Sequence, residues 1–146
     1  MEGNDILYFV EKVLVADTDY TVVYDSNVNA GIASVIVTGK GNYAGEIKKE
    51  FTINPSAVAG FTYSTRSSSA VALKWIMNES ATGYVIEQYK IGKWEVINTI
   101  TSNATVSYNV SGLNKATSYK FRIKVYKSYG KTNLYSGYVT KTIKTK

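Results

Sequence analysis

The chemistry open to this chain is bounded first by two missing residue types. With no histidine and no cysteine in 146 residues, the commonest general base, the commonest metal ligand, thiolate catalysis, Cys-type zinc sites and disulfides are all absent together. Paired carboxylates can hydrolyse glycosides without histidine, yet residues 55–146 hold only Glu79, Glu87 and Glu95 as acids. No catalytic residue, cofactor or metal is therefore expected. Asp17, Asp19, Asp25 and Asn27 carry oxygens of the kind calcium takes, but without an ordered calcium-loop spacing, and they read as solvated turn residues. Gly39-x-Gly41-x-x-x-Gly45 lacks both the Lys-Ser/Thr ending and the following helix of a phosphate-binding loop. It reads as a turn.

What remains is binding chemistry. Trp94 follows the turn Lys90-Ile91-Gly92-Lys93, and with Tyr89 it offers an aromatic platform on which a sugar ring could stack. The competing reading is a tryptophan packed over its own hairpin. Further along, alternation sends Phe121, Ile123 and Val125 inward and Lys120, Arg122 and Lys124 outward as a basic row. Val85, Glu87 and Tyr89 form the outward set of another strand, which places Glu87 to pair with one of those cations. The row is either a solvated, edge-protecting face or a surface that touches an anionic polymer or a neighbouring module. Tyr126, Tyr129, Tyr135 and Tyr138 gather around the last loop, where tyrosine serves binding surfaces and ordinary β surfaces alike. Asn78-Glu79-Ser80, Asn103-Ala104-Thr105 and Asn109-Val110-Ser111 are glycosylation acceptor patterns.

The elements that must position these side chains are strands. β-Branched and aromatic residues run in short stretches between Asn, Gly, Ser and Asp clusters, with little helical periodicity. Strands are expected over 6–15, 20–24, 33–38 and 46–53. A second group is expected over 61–64, 71–75, 84–89, 93–97, 105–110, 119–126 and 138–143. Turns fall at Asp25-Ser26-Asn27, Gly39-Lys40-Gly41-Asn42 and Lys90-Ile91-Gly92. The single proline, Pro55, sits among small residues and marks a boundary. Charge agrees: residues 1–54 carry 4 basic and 8 acidic side chains, residues 55–146 carry 13 and 3. Two modules of opposite sign are expected, divided at 54/55. About seven strands in the second suit a small sandwich. About four in the first are thin for self-sufficiency, which points to a lost leading strand.

Residues 61–143 resemble a fibronectin type III domain. Val71-x-Leu73-x-Trp75 matches its second strand and core tryptophan, and Gly83-Tyr84-x-Ile86 the start of the third. Leu113-x-x-x-Thr117-x-Tyr119-x-Phe121-x-Ile123-x-Val125 matches its tyrosine corner and sixth strand. The family often has proline between that leucine and threonine, where this chain has Asn114-Lys115-Ala116. Residues 18–53, with Asp19-Tyr20-Thr21-Val22 and Gly39-Lys40-Gly41-Asn42-Tyr43, resemble an Ig-like repeat of Gram-positive surface proteins. The resemblance implies an all-β chain of two immunoglobulin-like sandwich modules in tandem, the first incomplete, with Trp75 filling the core and the Tyr119 hydroxyl bonded to nearby backbone.

It also implies a non-catalytic accessory or spacer segment of a larger secreted or cell-surface bacterial protein. Its partners would be neighbouring domains of the same protein. The alternative is a module that binds carbohydrate or anionic cell-wall polymer through Tyr89, Trp94, Lys120, Arg122 and Lys124. An incomplete first module would expose a sheet edge, open to dimerisation. Nucleic acid is not expected, because the lysines are spread over many strands without a recognition helix or RNA-binding aromatic motif. No apolar run is long enough for a membrane span or a signal-peptide core, and the missing export signal suggests a segment of a longer precursor.

Overall fold

The computed structural model describes residues 12–146. They form β1 (Tyr20–Asp25), β2 (Gly31–Gly39), β3 (Glu46–Ile53), β4 (Thr62–Arg66), β5 (Ala70–Lys74), β6 (Gly83–Lys90), β7 (Lys93–Ile100), β8 (Ser107–Ser111), β9 (Ser118–Tyr129), β10 (Thr132–Tyr135) and β11 (Val139–Lys144). The described residues contain no helix, as a sequence rich in β-branched and aromatic side chains demands. Two compact units emerge, one of residues 12–25 and 33–51, the other of residues 26–32 and 52–146.

In the first unit the sheet is three-stranded, in the order β1-β2-β3. Of the strand expected over 6–15, residues 6–11 lie outside the described residues and 12–15 are irregular. Ala16 makes only an isolated parallel bridge to Tyr20. The expected turn at Gly39 is closed by backbone bonds from Gly39 N–H to the Gly45 carbonyl and from Tyr43 N–H to the Lys40 carbonyl, each 3.0 Å. The main-chain oxygen of Asp17 and a carboxylate oxygen of Asp19 accept hydrogen bonds within the same unit. The Lys40 ammonium donates to the Asp17 carbonyl at 2.7 Å, and the Val15 N–H donates to the Asp19 carboxylate at 3.0 Å.

The second unit is a sandwich. One layer is three-stranded, β4-β5-β8; the other is five-stranded, ordered β10-β9-β6-β7 with β11 also paired to β9. Alternate residues of both layers meet in one core, where Val71, Leu73, Tyr84, Ile86, Phe121, Ile123 and Val125 are fully buried. Period-two alternation makes such a core possible, because each strand contributes every second side chain to it. Trp75 lies just beyond β5 rather than inside it, buried with its ring edge-to-face against Tyr84 at 5.3 Å. The Tyr119 hydroxyl accepts the Asn114 N–H at 2.7 Å, which fixes the bend leading into β9.

The expected strand over 105–110 begins two residues later, at Ser107. The larger correction concerns residues 127–137, read from sequence as a tyrosine-rich loop. β9 continues to Tyr129 and turns back as β10, with Thr132 opposite Tyr129. The ladder on β9 then breaks at Ser136, whose N–H donates to the Val125 carbonyl at 3.0 Å. The Ser136 hydroxyl in turn accepts the Val125 N–H at 2.8 Å. Pairing resumes in β11, with Val139 opposite Ile123. One interrupted strand thus does the work of two.

Candidate functional site

β6 and β9 run antiparallel, with Glu87 opposite Arg122 and Val85 opposite Lys124. Because Phe121, Ile123 and Val125 face the core at 0% exposure, Lys120, Arg122 and Lys124 take the outer face. The expected cross-strand pair forms between Glu87 and Arg122. Arg122 Nε donates to Glu87 Oε2 at 2.6 Å, and Nη2 reaches the same oxygen at 2.5 Å. The Tyr138 hydroxyl donates to Oε1 at 2.6 Å. Roofed by these side chains, Glu87 is only 6% exposed although it belongs to the outer face. A carboxylate so far from water is tolerated because charge-assisted donors satisfy both of its oxygens.

Rings and cations alternate across this face. The Arg122 guanidinium lies between two rings, 4.3 Å from the Trp94 centroid and 3.8 Å from that of Tyr138. Lys124 stands over Tyr135 at 4.1 Å and near Tyr138 at 4.9 Å. Lys120 is 5.8 Å from the Tyr89 ring. Such contacts stabilise by about 0.5–1 kcal/mol each at exposed sites and by more where water is excluded. Tyr89 and Trp94 are register partners across the hairpin, and their rings meet edge-to-face at 5.2 Å with 64° between planes. That geometry does not give two coplanar rings, and the guanidinium already covers one face of Trp94.

All five residues singled out from the sequence, Tyr89, Trp94, Lys120, Arg122 and Lys124, thus lie on one sheet face. Glu87, Tyr135 and Tyr138 complete the arrangement. Beside the row a shallow groove of about 420 Å³ is floored by Val85 and bounded by Lys124, Asn133 and Tyr135. Among the described residues no cluster of acidic side chains is able to hold a metal ion, and no helix is long and apolar enough to cross a membrane.

A two-layer antiparallel sandwich with a core tryptophan and a tyrosine hydroxyl anchoring a corner belongs to the immunoglobulin-like class. Within that class the match is specific: the family model described as fibronectin type III domain covers residues 56–142. The chain belongs to the fibronectin type III family, a non-catalytic module type. A curated relative, Exoglucanase B of Cellulomonas fimi, is 27% identical over 144 residues, or 95% of this chain and 13% of that protein. The chain therefore spans a small part of that relative's length. Among solved structures, the crystal structure of FN3tt matches with a TM-score of 0.53 and 21% identity, covering 64% of this chain and 97% of that one. A two-domain fibronectin type III segment from chicken tenascin matches with a TM-score of 0.64 and 14% identity, covering 80% and 66% respectively. At these identities the solved structures speak to fold alone.

Proposed function

We propose that the chain is a non-catalytic accessory and spacer segment of a larger bacterial protein, secreted or held at the cell surface, and that it sets the placement of neighbouring domains. In this reading residues 1–54 are an Ig-like repeat and residues 55–146 a fibronectin type III module. One observation carries the reading: the face richest in binding-type side chains has turned them on one another. Arg122 is held by Glu87 and two rings, and both neighbouring lysines stand over tyrosines. A face built this way is stiff and largely satisfied, as a spacer surface should be.

A second reading draws on the relative's being an exoglucanase and on the lysines at either end of the row. In it, Tyr89, Trp94, Lys120, Arg122 and Lys124 meet carbohydrate or an anionic cell-wall polymer. Affinity electrophoresis through gels containing neutral glucans or anionic wall polymers separates the two. The spacer reading expects no retardation, and no change on Trp94→Ala. Salt-insensitive retardation lost in that variant would replace it with ring stacking, and retardation abolished by salt with charge recognition. Turnover of any glycan would overturn both. The sheet edge of the first unit is proposed as a route to dimers, checked by sedimentation at several concentrations.

A further inference from the structure

The turn joining β6 to β7 has a composition that the spacer role does not use. Ile91 and Gly92 form a two-residue connection with φ of +46° and +81°. A left-handed backbone suits glycine and asparagine in such hairpins, whereas for a β-branched side chain it is costly. Ile91 nonetheless occupies it, with its side chain fully exposed at 101%. A side chain built on Gly92 would likewise meet nothing within 4 Å, so the tip projects clear of the sandwich. Strain retained without any contact inside the fold points to a contact outside it.

The rungs below the tip are ordered by polarity. Lys90 and Lys93 are register partners, with side chains 43% and 71% exposed. Glu95 lies 3.7 Å from the first and 3.3 Å from the second, so one of the two positive charges is left over. Lys120, over the Tyr89 ring, adds another. The next rung is Tyr89 opposite Trp94, two amphipathic rings of the kind that settle at the boundary between hydrocarbon and water. Apolar tip, cations and aromatic pair follow one another from the apex inward.

We propose that this hairpin tip, Tyr89 to Trp94, docks on an anionic lipid surface, with Ile91 entering the acyl boundary and Lys90 and Lys93 facing the headgroups. A wall polymer or other soluble polyanion would satisfy the lysines but would offer no apolar phase to Ile91. A lipid surface accepts both. One isoleucine and a surplus of cations give weak, reversible attachment.

The test is partitioning of the intact chain onto large unilamellar vesicles, half phosphatidylglycerol and half phosphatidylcholine, followed by co-sedimentation and by tryptophan emission, in which a shift on binding reports Trp94 because Trp75 is already buried in the core. Partitioning with a blue shift is expected on these vesicles, and at least about tenfold less on phosphatidylcholine alone. Ile91→Asn should cut partitioning about tenfold or more, while raising the thermal midpoint because asparagine suits the left-handed turn. That pairing separates loss of binding from loss of fold. Lys90→Gln and Lys93→Gln should each weaken it about fivefold. Equal partitioning of Ile91→Asn, indifference to lipid charge, or no partitioning at any lipid concentration would overturn the proposal. Self-association that Ile91→Asn abolishes, without partitioning, would also overturn it by assigning the tip to a second copy.

Discussion

Arg122 gives Glu87 two donors on a single carboxylate oxygen, Nε at 2.6 Å and Nη2 at 2.5 Å, while its guanidinium plane is covered by Trp94 and Tyr138. A lysine could not reproduce this, because a point charge has neither the fork nor the flat face. Removing either partner is unequal in effect. Glu87, 6% exposed, would be stranded away from water, whereas Arg122 can swing toward it.

From that asymmetry, Arg122→Ala is expected to destabilise the fold by about 2–3 kcal/mol and Glu87→Ala by about half as much. The double variant should cost clearly less than the sum, since the stranded carboxylate is gone. Urea denaturation of the four proteins measures this, and additive losses would show that the pair is not coupled. High salt should leave the coupling almost unchanged, because the pair is shielded from solvent.

Gly83 opens β6 where another backbone passes unusually close. A methyl group there would sit 1.9 Å from the Ile100 carbonyl oxygen and 2.9 Å from the Tyr126 ring. Neither the β7 backbone nor the buried ring can move aside freely, so Gly83→Ala is expected to cost about 3–5 kcal/mol or to prevent folding. Gly112→Ala is the control. That position has open space around it but a φ of +74°, so only backbone strain is added, about 1 kcal/mol. Comparable losses in the two denaturation curves would contradict the clash.

Tyr119 holds its corner through one bond, in which the Asn114 N–H donates to its hydroxyl at 2.7 Å. Tyr119→Phe keeps the ring, half-buried against the core, and removes the acceptor. A loss of about 1 kcal/mol is expected, with exposed Asn114 regaining a bond to water. Faster hydrogen exchange at the Asn114 amide in the variant would locate the effect, and unchanged protection there would show that the bond does not hold the corner.

Much of the sandwich was legible because period-two alternation leaves little freedom in a two-layer fold. Residues 120–125 could be sorted into inner and outer sets, and Glu87 could be placed against the basic row, from the strand pattern alone. What could not be read was anything that depends on a break in register. Ile97 is skipped, so that Val96 faces Glu87 while Asn98 faces Ile86. β10 escaped notice because residues 126–138 mix tyrosine with Gly130, Ser136 and Gly137, a composition shared by loops and interrupted strands. Only the tertiary position of Ser136, bonded to Val125 on both its N–H and its hydroxyl, shows where one strand pauses and resumes. Tyr135 and Tyr138 were recognisable as a cluster, but not as lids over Lys124 and Arg122, since that requires the registers of β10 and of β11 on β9.

The last strand also carries a mechanical meaning. β11 is zipped to β9 from Val139 opposite Ile123 to Lys144 opposite Ser118. Its far end is tied to the end of β4 by the Arg66 guanidinium on the Lys144 carbonyl and by the Lys146 N–H on the Ser67 carbonyl. Tension drawn along this strand would load all its interstrand bonds side by side instead of opening them one after another, because they stand perpendicular to the pull. The module would then resist stretching as a unit and give way abruptly, behaving less as an elastic tether than as a link with a breaking load.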